Sequence, residues 1–390
     1  MMNKIKTTHV GSLPRPPHIF ALLEEKERTG QKPEGFDAAI EQAVHDIVTR
    51  QVESGIDIVG DGEVSKFSYT FYLRHRLEGI GVLDETKERP KTAAHRDLVE
   101  HPAFLERIQK KTKGVNWYEM VPPPCCDGPV AYKNHADLIE DMKNLKSAIT
   151  PHKNRTGFVS AASPGVLTKF IPDQHYNNED DYMAALAKAM QVEYEAVNDA
   201  GFIVQVDSPD LGSARHNQYQ DLSDDEFVKV AQRNIDILNY ATRNIPPENM
   251  RMHVCWGNYE GPHTHDIAFT KIAPAVFSAR PQTILFEGAN PRHAHEWEDL
   301  LNIDIPEDKR LCPGVIDTTT NFVEHPKLVA QRIMNFAKVV GRDRVMAGTD
   351  CGFATFAGPN NPIVPSVVWA KLKSLSDGAE IATERLWARS

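Results

Sequence analysis

The sequence predicts an α/β fold, a (β/α)8 TIM barrel with an inserted hairpin after strand 2. Three observations support this prediction: eight short apolar runs occur along the 390 residues, amphipathic helical segments follow most of them, and no short internal repeat is present. Strands that alternate with crossover helices form parallel sheets, and eight of them suffice for a barrel. We expect one domain over residues 1–390, with an insertion at about 80–150. A doubly wound open sheet is the alternative.

The eight predicted strands are apolar runs that end in small or polar residues. They cover residues 7–12, 56–63, 157–165, 202–210, 251–258, 283–290, 311–318 and 345–352. Such runs, bounded by turn-forming residues, are typical of buried strands.

The segments between the runs predict helices. Residues 36–55 carry apolar side chains at helical spacing and end at Gly55, where a left-handed C-cap is expected. Residues 180–201 end in the same way at Gly201. Ser223 is expected to cap the next helix, because acidic residues follow it in the first turn.

The stretch 116–134 differs from the predicted barrel strands. It contains PPP, CC and a DG turn before VAYKN, which predicts the inserted hairpin. Cys125 and Cys126 are expected in a short loop outside the core.

Composition excludes several functional classes. A net charge of -10 and a pI near 5.9 argue against a nucleic-acid surface, which needs clustered Lys and Arg. No apolar run approaches the ~20 residues of a membrane span, and the N-terminus has no apolar signal region, so we expect a cytoplasmic protein. Five cysteines over this length indicate reduced thiols rather than a disulfide framework. Neither GxGxxG nor GxxxxGK[ST] occurs at a strand-to-helix turn.

Residues of metal-binding and acid–base types close most of the runs. Barrel enzymes place catalytic groups at the C-terminal ends of their strands, so these residues are the candidate site. They are Glu63, Asp207, His253, Cys255, Glu287, Asp350 and Cys351.

Four of these residues suit a zinc ion. His253 and Cys255 are two positions apart and face the same side of a strand, while Glu287 and Cys351 close two other strands. The alternative is that both thiols are buried small hydrophobes and the imidazole a hydrogen-bonded core group. A zinc ion bound by two thiolates and a carboxylate is a weak Lewis acid, but it keeps a bound substrate thiolate electron-rich. This ligand set therefore favours thiol activation. We expect an incoming thiol to displace Glu287, the weakest ligand.

With these residues in place, the sequence resembles cobalamin-independent methionine synthase, in particular its C-terminal catalytic barrel. The matching pieces span almost the whole chain in the family's order. They are THVGSLPRP at the N-terminus, GDGE at 60–63, QVDSPDL at 205–211, HVC at 253–255, FEGANPR at 286–292, PGVIDTTTN at 313–321 and GTDCGF at 348–353.

The resemblance implies a zinc-dependent methyltransferase. In such an enzyme a methyl group passes from a methyl-folate to the zinc-bound thiolate of homocysteine, giving methionine. The implied zinc ligands are His253, Cys255, Glu287 and Cys351. The implied substrate contacts are Glu63 and Asp207, which hold the amino group of homocysteine, and Gly11 and Ser12, which lie near its carboxylate. The expected partners are therefore a small-molecule thiol and an alkyl donor, and a homo-oligomer is left open.

The sequence departs from the family's pattern at three points. It carries one barrel, whereas full-length members have a second, N-terminal barrel that helps to bind polyglutamylated folate. Asp317-Thr318-Thr319 stands where the family has Asp-x-His, so the usual histidine proton donor is missing. His263 is our expected catalytic substitute, with His265 as a second choice and a solvated surface histidine as the alternative. DSPD replaces the family's DEPA beside Asp207, so the alkyl donor and the thiol both stay open.

Rival functions remain. An enzyme similar to epoxyalkane:coenzyme M transferase would open an epoxide with a zinc thiolate and would bind a sulfonate. Tyr259 or a histidine would then protonate the alkoxide. The candidate sulfonate-binding residues are Lys66, Arg74, His75, Arg76 and Arg215, although a solvated basic helix face explains the YLRHR stretch as well. A zinc-free barrel similar to uroporphyrinogen decarboxylase and a non-catalytic zinc-binding protein are further alternatives.

Overall fold

Helices and strands alternate along the computed structural model, which describes residues 4–83, 96–111, 123–355 and 363–388. The strands are β1 (Ile58–Gly60), β2 (Leu77–Val82), β3 (Pro124–Tyr132), β4 (Thr156–Ala162), β5 (Ile203–Asp207), β6 (Met250–Val254), β7 (Thr283–Phe286), β8 (Arg310–Ile316) and β9 (Gly348–Thr349). The α-helices are α1 (Pro17–Thr29), α2 (Phe36–Glu53), α3 (Arg96–Glu100), α4 (Pro102–Lys111), α5 (Ala136–Ile149), α6 (Pro164–Phe170), α7 (Glu179–Asp199), α8 (Asp224–Ala241), α9 (Phe269–Phe277), α10 (Glu296–Leu300), α11 (Pro326–Val340) and α12 (Pro365–Trp387).

Seven strands form one curled parallel sheet, in the order β1-β4-β5-β6-β7-β8-β9. The predicted α/β fold with a parallel sheet is therefore confirmed. The first predicted strand, residues 7–12, is not a regular strand: Thr7 bridges Ala347 and Thr8 bridges Ile58. The backbone pairing of this segment does not continue beyond these two bridges. The amide of Val10 donates to the side-chain hydroxyl of Thr349 instead of to a backbone carbonyl of a neighbouring strand. This short segment joins the two edges of the sheet.

Apolar side chains fill the interior of the curled sheet. They come from different strands and the N-terminal segment, and comprise Val10, Ile58, Phe158, Leu285, Cys312 and Met346. The guanidinium of Arg251 lies 3.6 Å from the centre of the Phe158 ring. Because this interior is packed, a substrate has room only at the ends of the strands.

The predicted helix ends agree with the structure. Gly55 and Gly201 both have φ near +85° just after α2 and α7, a backbone conformation that favours glycine. Ser223 caps α8 in a capping box: its hydroxyl accepts from the Glu226 amide, and the Glu226 carboxylate accepts from the Ser223 amide.

The insertion after β1 is built differently from the prediction. β3 pairs antiparallel with β2, more than forty residues earlier in the chain, rather than with a strand inside 116–134. Asp127 and Gly128 lie within β3 and form no turn. Gly128 faces a β-bulge at Gly79 in β2. A Cβ on Gly79 would come 2.4 Å from the Gly128 carbonyl oxygen, so the two backbones approach closely there. Residues 116–122 lie outside the described residues.

Cys125 and Cys126 also differ from the expectation of an external loop. Both side chains are fully buried in β3. The amide of Cys126 donates to the carbonyl of Pro172, which joins the insertion to the segment after α6. The thiols are buried because β3 packs against α7 on this side.

In the part of the chain that the structure describes, no helix has both the length and the apolar character needed to cross a bilayer.

Candidate metal and substrate site

The ends of the parallel strands bring the candidate residues together. The ladder pairs Asp207, the last residue of β5, with His253 in β6. Cys255 and Glu287 follow directly after β6 and β7, and Cys351 lies two residues beyond β9. Because all these strands are parallel, their C-terminal ends share one edge of the sheet.

His253, Cys255 and Cys351 form a compact group of possible metal ligands. One ligand atom of each lies within 4.8 Å of the other two, and all three residues are buried. The two sulfur atoms are 3.8 Å apart. That distance is far longer than the ~2.05 Å of a disulfide. It matches the roughly 3.8 Å expected between two sulfurs that each lie about 2.3 Å from one tetrahedral zinc.

The ring of His253 lies between two oxygen acceptors. Its Nδ1 is 3.4 Å from the Asp207 carboxylate, and its Nε2 is 3.3 Å from the Asp350 carbonyl. Burial lowers the pKa of His253, but the contact with Asp207 and nearby negative charge outweigh it and raise the pKa overall. A metal would replace one ring proton, and the other nitrogen would keep its oxygen partner, as is usual for histidine ligands.

The two thiols fit a cation. A hydrogen bond to Cys351 and burial raise the pKa of Cys255 well above its usual value. Two adjacent buried thiolates repel each other, so both ionise only when a positive ion lies between them. Two sulfurs and an imidazole are ligands that zinc accepts.

Glu287 lies beside this group but does not belong to it. Its Oε1 accepts from the Trp256 amide at 2.8 Å, and its Oε2 accepts from the Asn290 side chain at 2.7 Å. Asn290 also donates to the Asp350 carboxylate, which accepts from the amides of the preceding loop residues as well. These hydrogen bonds hold the Glu287 carboxylate next to the three ligands. Sequence reasoning missed Asn290, whose only signal was its place in FEGANPR.

Glu63 and Asp207 form a pair of buried carboxylates at the same end of the sheet. Glu63 accepts from the Ser160 hydroxyl at 2.7 Å, and Asp207 accepts from the Gln205 amide at 2.8 Å. Burial raises the pKa of Glu63; Lys66 opposes that shift and Asp207 adds to it. Two neighbouring carboxylates in a buried site favour the binding of a cation.

Gly11 and Ser12 also lie at this point. A Cβ on Gly11 would come 2.4 Å from Oε1 of Glu63, so the carboxylate packs directly on the glycine. The Ser12 hydroxyl accepts from the amide of Ala354, just beyond Cys351. The structure therefore brings together all four residues that were expected to contact the substrate.

Arg15 is a residue of this site that sequence reasoning missed. It donates to the carbonyl of Glu63 at 2.7 Å and to the carbonyl of Ala354 at 2.9 Å. Glu63 has a φ of +56°, which is rare outside glycine, and Arg15 holds that backbone in place. The only signal in the sequence was its position in the SLPRP piece.

His263 is buried, so the alternative of a solvated surface histidine is wrong for this residue. Its Nδ1 lies 3.1 Å from the Asp266 carboxylate, and its Nε2 lies 3.1 Å from the Tyr259 carbonyl. Burial lowers its pKa, but Asp266 more than compensates and raises it. His263 has a φ of +52°. In the described ranges, His263 and Glu63 are the non-glycine residues with a positive φ. His265 instead pairs with Glu100 at 2.8 Å.

The basic residues considered for a sulfonate all have protein partners, although Lys66 lies next to the site, where Ser160 joins it to Glu63. Each of them contacts a carboxylate or a carbonyl of another residue. Arg74 and His75 contact Glu27, and Arg76 contacts Asp141 and Glu193. Lys66 donates to the Ser160 carbonyl, and Arg215 contacts Asp224. The hydroxyl of Tyr259 donates to Asp97. A sulfonate would have to displace one of these partners.

Known proteins share this architecture. Residues 156–364 match the family model described as the catalytic domain of the cobalamin-independent synthase. A methionine synthase of Saccharolobus solfataricus is 22% identical over 387 residues, which cover 98% of this chain and 96% of the relative. The structure of a B12-independent methionine synthase from Shewanella sp. in complex with selenomethionine is 21% identical, with a TM-score of 0.73 and 99% of each chain covered. A putative vitamin-B12 independent methionine synthase from Listeria monocytogenes is 18% identical, with a TM-score of 0.62 and coverage of 97% of this chain and 98% of its own.

Proposed function

The chain belongs to the cobalamin-independent synthase catalytic-domain family, and from this premise we propose that it transfers a methyl group to the thiol of homocysteine, giving methionine. Relatives named methionine synthase match it over nearly their whole length, which supports the proposal. So does the curled sheet joined at its edges, which we interpret as a (β/α)8 barrel. The observation that carries the proposal is the buried group of His253, Cys255 and Cys351.

We assign this group to zinc, with Glu287 as the fourth ligand. Bound zinc would lower the pKa of the homocysteine thiol, so that its thiolate exists at neutral pH. Glu287 suits an exchangeable position, because Trp256 and Asn290 already provide hydrogen-bond donors for its carboxylate when it leaves the metal. The three remaining ligands need no such alternative partner.

The remaining residues orient the amino acid. Glu63 and Asp207 would bind its ammonium group, which neutralises two buried carboxylates that otherwise repel each other. Gly11 and Ser12 would lie near its carboxylate. Asp207 also contacts the ring of His253, so it couples the position of the ammonium to that of a metal ligand. His263 stays a predicted proton donor.

The geometry supports this function over its rivals. An epoxide-opening enzyme that binds a sulfonate needs free cations, and the candidates for that role already have protein partners in the described structure. A metal-free barrel gives no reason for two buried sulfurs 3.8 Å apart beside an imidazole.

The test combines metal analysis with zinc-edge X-ray absorption on the purified protein. We expect about one zinc per chain, with two sulfur ligands that become three when homocysteine is added. Coenzyme M is the matched control thiol, because it has a sulfonate and no amino group. Methionine formation from 5-methyltetrahydrofolate completes the test. A protein without stoichiometric zinc, or one whose zinc gains sulfur from coenzyme M but not from homocysteine, would overturn the proposal.

A further inference from the structure

A cavity of about 640 Å³ opens at the N-terminal ends of the parallel strands. Binding sites for small molecules usually have volumes of about 300–1,000 Å³. The metal group follows the C-terminal ends of these strands, so the cavity and the metal group lie at opposite ends of the sheet. The first residues of most strands of the sheet line the cavity, namely Ile58, Thr156, Ile203, Met250, Thr283 and Arg310.

Apolar side chains form the inner wall of the cavity. Ile58 and Met346 belong to the packed cluster inside the curled sheet, and Ile203 packs against that cluster. Met250 adds a further apolar side chain. The cavity therefore ends on the packed interior, and a ligand in it would contact apolar groups there.

Arg251 lines the cavity and carries a buried positive charge without a carboxylate partner. Only 2% of the residue is exposed. Its guanidinium donates to the Thr8 hydroxyl at 2.8 Å and to the His9 carbonyl at 3.0 Å, while its Nε has no acceptor among the described residues. Asp207 attracts the guanidinium, but the two form no ion pair. Because buried charges are normally paired, this group favours an anion in the cavity.

Two further cations line the cavity. In the part of the chain that the structure describes, the side chains of Lys6 and Arg310 donate to no acceptor and form no ion pair, and both are partly exposed. The acidic residues of the lining are Glu248 and Asp343. Positive charges therefore outnumber negative ones, which favours a ligand with a single negative charge.

We propose that this cavity is a second binding site, which takes a small monocarboxylate with an apolar body. The carboxylate pairs with the guanidinium of Arg251, whose planar shape matches it. The apolar body lies against the inner wall, and the charges of Lys6 and Arg310 attract the anion as it enters. This inference does not rest on the proposed function, because it concerns the other end of the sheet.

The alternative is that Arg251 serves only the fold. Its guanidinium lies 3.6 Å from the centre of the Phe158 ring, and its bonds to Thr8 and His9 join β6 to the N-terminal segment. This structural role explains those contacts. It does not explain why an open cavity with two more cations lies beside the buried charge. The two interpretations predict different results with an added carboxylate.

The test adds hexanoate to the purified protein and observes isotope-labelled methionine methyl groups by NMR. Met250 and Met346 line the cavity, whereas Met183 and Met190 are buried in α7 outside it. We expect hexanoate to shift the resonances of the first pair until they saturate and to leave the second pair unchanged. Hexanamide has the same chain without the charge, and acetate has the charge with almost no apolar body. Both should bind at least about tenfold more weakly than hexanoate.

Two variants locate the site. Arg251→Met should weaken hexanoate binding about tenfold or more and change hexanamide binding little. Since Arg251 also holds the N-terminal segment, Ile203→Trp is the second variant: its larger side chain fills the cavity and should abolish binding. Ile139→Trp, at an exposed position of α5, is the matched control and should bind hexanoate as the unaltered protein does.

Saturable shifts confined to Met250 and Met346 would support the inference. Unshifted methyl groups at about 10 mM hexanoate would overturn it, because even a weak site for so small a ligand is then occupied. Equal affinity for hexanoate and hexanamide, equal shifts at Met183 and Met190, or full binding by Ile203→Trp would overturn it as well. If Arg251→Met does not fold, Ile203→Trp and the two control ligands decide. The measurement needs neither zinc nor a methyl donor, so its failure and the failure of the proposed function are separate results.

Discussion

The sulfur atoms of Cys255 and Cys351 lie 3.8 Å apart although 96 positions separate the two residues in the chain. They follow β6 and β9, and β7 and β8 lie between those strands in the sheet. In a flat sheet with strands about 4.8 Å apart, the two ends would be about 14 Å from each other. The curl of the sheet removes that separation, so the metal group depends on the fold as a whole.

Removing either sulfur should remove the metal. We expect Cys255→Ser and Cys351→Ser to reduce bound zinc from about one per chain to a trace, because a hydroxyl is a poor ligand compared with a thiolate. Metal analysis after dialysis measures this. Cys312→Ala is the control, since Cys312 is buried in β8 outside the metal group and its loss should leave the zinc in place. Full zinc content in both serine variants would refute the ligand assignment.

Glu63→Gln should affect the substrate and spare the metal. Loss of one charged contact with the ammonium should lower kcat/KM for homocysteine by roughly 10- to 100-fold. An amine-free thiol such as 3-mercaptopropionate has no such contact, so its reaction should change little. Steady-state kinetics with both thiols compares the two effects. Equal losses for the two thiols would contradict an ammonium-binding role.

Gly11→Ala should disturb the same carboxylate by steric contact. The new Cβ would lie 2.4 Å from the present position of the Glu63 oxygen, so the carboxylate must move. We expect the KM for homocysteine to rise about tenfold while the melting temperature changes little, since the moved group is a side-chain end. Gly128→Ala is the matched control, because the nearest atom to its Cβ is 3.5 Å away. An unchanged KM in Gly11→Ala would indicate that substrate does not contact Glu63.

Asp137 should make stability depend on acid pH. It accepts ion pairs from Lys26 at 3.0 Å and Lys32 at 3.1 Å. Burial raises its pKa, but the two lysines lower it more, to about 2. Because this folded-state pKa is below the unfolded value of about 3.9, the stabilisation is complete above about pH 5 and is lost as pH falls through about 2.

The variant Asp137→Asn measures this contribution. We expect it to lower the free energy of unfolding by about 1–2 kcal/mol at pH 7 and to have almost no effect near pH 2. Denaturant unfolding at both pH values gives the comparison, with Asp304→Asn at an exposed position as the control. A loss of the same size at both pH values would show that the charge of Asp137 is not responsible.

Much of the fold could be predicted because it follows from local patterns. Apolar runs and helical spacing depend on neighbours a few positions apart, so seven of the eight predicted strands and the cap at Ser223 agree with the structure. Residues 7–12 form bridges instead of a regular strand because the amide of Val10 bonds to a side chain contributed by β9. No local pattern contains that contact.

The sequence by itself determined the parallel α/β architecture and placed Glu63, Asp207, His253, Cys255, Glu287 and Cys351 at the ends of strands. Only the tertiary structure decided which of these groups meet. It grouped His253, Cys255 and Cys351 with Glu287 held beside them, buried Cys125 and Cys126, and placed the Arg15 guanidinium against the carbonyl of Glu63. The physical reason is that side-chain periodicity is set along one strand, whereas contacts across the site depend on the curvature of the sheet and on hydrogen bonds between residues far apart in the chain.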